Sequence, residues 1–482
     1  MKILKGSEVI AADKRAIASG VSGRTLMKRA AEGLAEFIDS LGAKRVVFIT
    51  GPGNNGADGI VAAGLIRKNT EVEIYCVSPP EKINSNFLWA QSVTGRGVVF
   101  MPSSDALKES MRKADYVVDC IFGTGFHGAA LGRAAAAIKE INASGRPVIS
   151  CDVPSGLDSD TGEATLSVKA DFTVTFGFPK MGLFVGAGAE ISGSLRAVDI
   201  GLKVPSKKTA VCMISPSDIA LEIPVRNCES HKYTSGHVLI FAGEMKGASR
   251  LAALGALRGG AGLVTLAGGD GQKLPEAIVI DYETDFLKYI KQKKVKAIVF
   301  GPGFGRNCPA LAVEVMEILS KTALPKVIDA DGIFLAKKYG YLKKLKNCVF
   351  TPHTGEAAQL TRGSLVAPRS WNTVKKLAKS LNAVIVLKGH RTVISDGETV
   401  MINPTGNPVL ASGGTGDLLS GVMAGFIAGG MGVFDGANAA VYAHGLAADL
   451  FLKKNGGIGA LAGDIAALLP GALKIIKEQR LA

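Results

Sequence analysis

Cysteine is the first thing this 482-residue chain lacks in useful form. The seven thiols, Cys76, Cys120, Cys151, Cys212, Cys228, Cys308 and Cys348, are odd in number, form no CxxC, and mostly sit in apolar runs. That excludes a disulfide scaffold or a zinc cluster and predicts buried thiols in a reducing compartment. No charge-free apolar run reaches about 18 residues, so no membrane span is expected. The opening MKILKGSEVIAADKRAI carries Glu8 and Asp13 and has no apolar core, which argues against a signal peptide. A cytoplasmic protein without a membrane partner is the expectation. Aromatic RNA-binding motifs are also missing around the basic runs KQKKVK, KKLKN and KKLAKSLN. The net charge of +14 therefore reads as solvated lysine that helps draw in small anions, with no nucleic-acid partner.

Glycine, by contrast, is abundant: 60 residues with no fixed period. The richest run is ASGGTGDLLSG at 411–421, followed by apolar residues from Leu418 to Ile427. A glycine turn opening a helix offers unpaired amides at the positive end of the helix dipole, an anion site. A carboxylate there, Asp417, would repel a phosphate unless it serves as a base beside one. Taken alone, it could equally be a helix cap.

The first half alternates apolar strands with helical runs. Strands are expected at Arg45 to Thr50, Glu71 to Val77, Tyr116 to Phe122, Pro147 to Val153 and Phe172 to Phe176. Three end in loops rich in Gly and polar residues, GPGNNGADG, GTGFHG and DVPSG. Such a series predicts a doubly wound parallel sheet whose ligand lies outside the carboxyl ends of its strands. The polar stretch KVPSKKTA at 203–210 marks a seam, giving domains at 1–207 and 211–482. A second αβ series follows, with strand ends GPGFG, DADG, TPHTGE and KGHRT, and with the GTGD helix as last element but one. No repeat relates the halves.

The second half closely resembles the ribokinase-like superfamily and, within it, the ADP/ATP-dependent NAD(P)H-hydrate dehydratases. The matching pieces include ALRGGAGLVT, GPGFG, DADG, TPHTGE, LKGHRT, GNPVLASGGTGDLLSGVMAGFIAGG and AHGLAADL, covering most of 210–480. The first half resembles NAD(P)H-hydrate epimerase domains, through GPGNNGADG, DCIFGTGFHG and SCDVPSGLDSDTG. The whole resembles the bifunctional nicotinamide nucleotide repair (YjeF) family. Its fold would be α/β, a Rossmann-like domain before a ribokinase-like one. Three positions depart from the usual motifs: Ala57, Thr354 and His390. Ala57 implies a backbone that needs no positive φ there.

The resemblance implies substrates: hydrated NADH and NADPH, with ADP or ATP as phosphate donor. R and S hydrates would be interconverted in the first domain. In the second, the S form would be phosphorylated on its ring hydroxyl and lose phosphate. It also implies roles. In the epimerase, Asn54, Asn55, Gly56, Ala57 and Asp58 would face Gly123, Thr124, Gly125, Phe126, His127, Gly128 and Ala129 around the dinucleotide, with Asp152 as a single acid/base. Asn55, Asp119 and Ser155 would hold potassium. In the dehydratase, Asp417 would be the general base. Gly305 and His353 would line the hydrate pocket. Lys388, Gly389, His390, Arg391, Thr392, Asn407, Gly414, Thr415 and Gly416 would contact the nucleotide and its Mg²⁺. Glu356 would either orient that ion or cap a helix. A homo-oligomer is expected. Two rivals remain: a small-molecule alcohol kinase fused to a dinucleotide-binding module, and a non-enzymatic scaffold.

Overall fold

The computed structural model describes residues 1–203, 211–224, 228–269, 274–360 and 371–478. The chain divides into two compact units, Met1–Thr209 and Ala210–Ala482. Most of the seam stretch, 204–210, lies outside the described residues.

In the first unit seven strands form one parallel sheet: β1 (Arg45–Thr50), β2 (Glu71–Cys76), β3 (Val99–Phe100), β4 (Tyr116–Cys120), β5 (Val148–Cys151), β6 (Phe172–Phe176) and β7 (Ser194–Val198). Their order, β3-β2-β1-β4-β5-β6-β7, reverses direction between β1 and β4. That reversal opens the crevice in which such sheets bind ligands. The helix Gly23–Ser40 starts where Ser22 accepts from the Thr25 amide, and it buries Leu26, Ala30, Leu34 and Ile38 at four-residue spacing. The run NNGADG is not the loop its glycines suggest. A helix begins at Asn54 and runs to Leu65, so Asn55 to Asp58 form its first turns. It passes so close to the β1 and β4 ends that a Cβ on Gly56 would lie 2.1 Å from the Gly51 carbonyl oxygen, and one on Gly59 2.5 Å from Cys120 Sγ.

The second unit holds a ten-stranded sheet: β8 (Val211–Met213), β9 (His237–Phe241), β10 (Leu263–Ala267), β11 (Ile278–Ile280), β12 (Ala297–Phe300), β13 (Lys326–Ile328), β14 (Cys348–Phe350), β15 (Val384–Leu387), β16 (Val393–Ser395) and β17 (Val400–Ile402). The order is β11-β10-β9-β12-β13-β14-β15-β16-β17-β8, parallel except at β15/β16 and β16/β17. Here the reversal falls between β9 and β12. The helix Thr415–Ala428 packs on β9, β12 and β13, and it lies against the helix Lys246–Arg258. Glycine permits this approach: a Cβ on Gly421 would sit 1.8 Å from the Ala252 carbonyl oxygen. Two helices follow it, Val433–Asn455 and Ala462–Glu478, so it is third from the end.

Among the described residues no helix is long and apolar enough to cross a membrane. All seven cysteines are free thiols. Four are buried, whereas Cys212 is half-buried and Cys228 and Cys308 are exposed, so burial of the thiols is only partial.

Candidate functional sites

In the first unit a cavity of ≈ 820 Å³ opens at the β1/β4 reversal. It gathers Asn54, Asn55, Asp58, Gly123 to His127 and Asp152 on its wall. Gly56 and Ala57 are buried rather than on that wall, and Gly128 and Ala129 are exposed outside it. The rings of Phe122 and Phe126 stack 4.5 Å apart at the rim. Asp152 follows β5 with φ of 70°, a conformation uncommon for a residue with a side chain and frequent at functional sites. Its Oδ1 accepts from Lys180 Nζ and, at 3.2 Å, from the Phe176 amide; its Oδ2 accepts from Thr124 Oγ1.

Lys180 escaped the sequence reading. It is 1% exposed, and its ammonium also donates to Thr175 Oγ1 at 3.1 Å and the Phe176 carbonyl at 2.8 Å. Its segment is pinned by Leu4, which donates to Pro179 O and accepts from the Met181 amide. Burial pushes the Asp152 carboxyl up, but Lys180, Thr124 and the Phe176 amide outweigh it, and the net shift is downward. Asp13, on the helix Gly6–Ala18, also reaches the cavity unforeseen.

Asn55 and Ser155 converge on the backbone of Phe122, and Asp119 binds Ser155. Asn55 Nδ2 donates to Phe122 O at 2.9 Å, and the Phe122 amide donates to Ser155 Oγ at 2.8 Å. Asp119 is fully buried and accepts from Ser150 Oγ, from the Ser155 amide and hydroxyl, and from the Ile121 amide. Burial still raises its proton affinity. Hard oxygen donors around a buried carboxylate suit an alkali cation. Nearby, His127 Nδ1 lies 2.7 Å from Asp158 Oδ2; burial works against the charge, yet His127 and backbone amides bring Asp158 down to about 2.

In the second unit the loops after β9 and β12 bind each other: the Glu244 amide donates to Phe304 O and the Met245 amide to Gly303 O. The Gly305 amide donates 3.0 Å to Asp331 Oδ2, whose other oxygen takes Arg306. Asp329, buried at the end of β13, accepts from Lys388 Nζ at 2.6 Å and Ser420 Oγ at 2.7 Å. The Thr415–Ala428 helix begins on Gly414, whose φ of 88° and contact with Leu251 exclude a side chain. A Cβ on Gly416 would lie 3.6 Å from Lys388 Nζ, so the ammonium stands over the helix start. The Thr415 hydroxyl is spent on Leu410 O and Ser412 O, and its amide reaches Ser412 O at 3.5 Å. Asp417 is half-buried. Burial, then Asp329, raise its carboxyl to about 6, against the pull of Lys388.

His353 bridges to Lys388 and lines a hollow of ≈ 110 Å³ with Arg306, Phe334, Lys337 and Glu356. Glu356 Oε2 accepts from the His353 amide at 2.9 Å, the capping arrangement. Gly389, Arg391 and Thr392 form the β15/β16 turn with His390. Arg391, at φ of 58°, donates to Pro404 O, and Thr392 Oγ1 donates to Gly389 O. Asn407 is held by Asp449 at 2.9 Å while accepting from the Val409 amide, so it fixes the turn ahead of the GTGD helix. Ser420 and Asp329 are further members of this site to which the sequence reading gave no role.

Among the described residues no group of three or more His, Cys, Asp or Glu could hold a metal ion. The family profile for NAD(P)H-hydrate dehydratase matches 238–470, and that for the YjeF-related protein N-terminus matches 23–182. The bifunctional NAD(P)H-hydrate repair enzyme of Moorella thermoacetica is 36% identical over 481 residues, covering 90% of this chain and 88% of its own. That of Thermofilum pendens is 32% identical, covering 99% and 97%. A crystal structure of the ADP/ATP-dependent NAD(P)H-hydrate dehydratase from Bacillus subtilis with ATP/Mg²⁺ is 30% identical over 55% of this chain and 99% of that one, with a TM-score of 0.47.

Proposed function

This chain belongs to the bifunctional NAD(P)H-hydrate repair family, and from that premise we propose how each unit does its part of the repair. The first unit interconverts the R and S hydrates. The second dehydrates the S form with ADP or ATP. What carries this reading is a similarity that runs through both units, over 90% of the chain.

In the second unit the helix start at Gly414, Thr415 and Gly416, with Lys388, receives the transferring phosphate. Asp417 takes the proton of the ring hydroxyl as that oxygen attacks the phosphate. Hydroxide leaves poorly and phosphate leaves well, so the ring nitrogen lone pair then expels phosphate, and loss of a C5 proton to water returns that pair to nitrogen and forms the C5=C6 bond. Asp329 with Ser420 fixes the Lys388 ammonium. Gly305 and His353 line the hydrate side; Gly389, His390, Arg391, Thr392 and Asn407 shape the nucleotide side. Mg²⁺ carried by the nucleotide would, when bound there, offset phosphate charge.

In the first unit the dinucleotide enters between the Asn54 helix start and the Gly123–Ala129 loop, and the nicotinamide ring reaches Asp152. Asn55, Asp119 and Ser155 would hold potassium, which when bound compensates the buried Asp119 charge. The seam falls near Lys207, the setting is cytoplasmic, and the chain forms a homo-oligomer.

The test is direct. Hydrated NADH is incubated with the protein and ADP or ATP, and reduced-nicotinamide absorbance is followed. Return of absorbance with both epimers consumed is expected. No return, or a phosphorylated alcohol that accumulates, would overturn the reading in favour of a simple kinase.

A further inference from the structure

The first-unit cavity holds more titratable groups than one alternating acid/base requires. Asp152, Asp58, Asp13 and Lys180 all line it, from the end of β5, the helix Asn54–Leu65, the helix Gly6–Ala18 and the segment after β6. They are not equivalent. Asp152 accepts from an ammonium, a hydroxyl and an amide, the surroundings of a carboxylate. The Lys180 ammonium has three acceptors, so its donors are committed. Asp13 Oδ1 is buried without a hydrogen-bond partner among the described residues. Asp58 stands one helical turn beyond Asn54 on the same wall, and its charge would repel a phosphate.

Exchange of a ring hydroxyl between two faces needs a donor where the oxygen leaves and an acceptor where water returns. We propose that these are two different residues of this cavity, Asp58 as the acid and Asp152 as the base, with Asp13 positioning the proton on Asp58. This rests on the reading of the first unit as an epimerase. Asp58 gives its proton to the C6 hydroxyl. The C6–O bond breaks, the N1 lone pair forms the C6=N1 bond, and water leaves. A water then adds to the opposite face of C6, the π pair returns to N1, and the water's proton passes to the Asp152 carboxylate. Two carboxyls and one proton enter the step and leave it, and the reverse direction starts from the other protonation state.

The charges support the division. Burial, then the neighbouring carboxylates of Asp152 and Asp13, raise Asp58 well above the usual carboxylate range against the pull of Lys180; Cys120 and Cys151 are the other titratable groups beside it. Burial raises Asp13 too, with Lys180 opposing and Asp152 adding. Neighbouring groups whose environments push their proton affinities apart mark an acid and a base.

The test follows exchange of purified R hydrate into S with the full chain, without nucleotide, across pH. For the wild type the rate falls on the alkaline side as Asp58 loses its proton. Asp58→Asn should lower the turnover rate by ~10²–10⁴-fold, with KM little changed, and abolish that alkaline limb. Asp58→Glu should restore part of the rate, and Asp13→Asn should move the limb to lower pH. A wild type that exchanges with no alkaline limb overturns the proposal without any variant, and so does an Asp58→Asn protein with the wild-type rate or limb. A wild type that exchanges nothing sinks the epimerase reading itself.

Discussion

Each unit builds its site around a buried carboxylate–lysine pair at a strand end, yet the two pairs act differently. In the first unit Lys180 binds Asp152, the carboxylate proposed to meet the substrate, and lowers its proton affinity. In the second, Lys388 binds Asp329, a neighbour, and Asp417 is left with its proton affinity raised to about 6. In the proposed scheme one ammonium fixes the reacting group, and the other fixes the phosphate's counter-charge and leaves the base free to titrate. The same two residue types therefore lower the proton affinity of one carboxyl and leave that of the other raised.

Removing the lysines should break this comparison most visibly. Lys180→Met leaves Asp152 buried without its cation, and losing one partner of a buried pair costs ~3–5 kcal/mol. Urea unfolding should show that loss together with loss of R/S exchange. Lys388 is partly exposed, with 22% of its side chain accessible, and Lys388→Met should cost distinctly less. Equal destabilisation by the two substitutions would erase the contrast.

The pH dependence sharpens it next. In its proposed role as base Asp417 works only when ionised, so dehydration should decline about tenfold per pH unit below about 6. Lys388 pulls the Asp417 carboxyl down, so Lys388→Met should move this acid limb to higher pH. A limb that stays in place in that variant would mean the two groups are uncoupled.

Gly414→Ala should act more mildly, through a residue forced to φ of 88° and against Leu251. About 1–2 kcal/mol is expected from the backbone alone. It should appear as a raised KM for ADP with R/S exchange intact; an unaltered KM would remove this turn from the nucleotide site. The smallest effect is expected from truncation. Residues 211–482 alone should dehydrate the S hydrate at close to the full-chain rate and leave R to its spontaneous decay. A folded, inactive fragment would show that the units depend on each other.

Much of this was legible in the sequence, for physical reasons. Strands such as Arg45–Thr50 and Ala297–Phe300 are continuous apolar runs ending in glycine, the mark of a parallel sheet covered on both faces. Edge strands were not: Val99–Phe100 has two residues, and Ser194–Val198 is mostly half-exposed. NNGADG reads as a loop because glycine disfavours helix, but tertiary contact overrides that preference where the helix runs against β1 and β4. Asp417 was found because glycines frame it. Lys180 was hidden among 56 basic residues, although it is the only charge in the apolar run FGFPKMGLFV. Asp13 could not be found at all, since only the packing of its helix brings it to the cavity.

The central claim is that two chemistries run on two separate carboxylates, and one crossed measurement reaches it directly. A mixture of R and S hydrates is given to the full chain with ADP or ATP, as Asp152→Asn and as Asp417→Asn, and both epimers are followed. With Asp152→Asn, S should vanish quickly while R lingers at its spontaneous rate. With Asp417→Asn, neither should be depleted, yet purified R should still exchange into S. Depletion of both epimers at the wild-type rate by either variant would contradict the account.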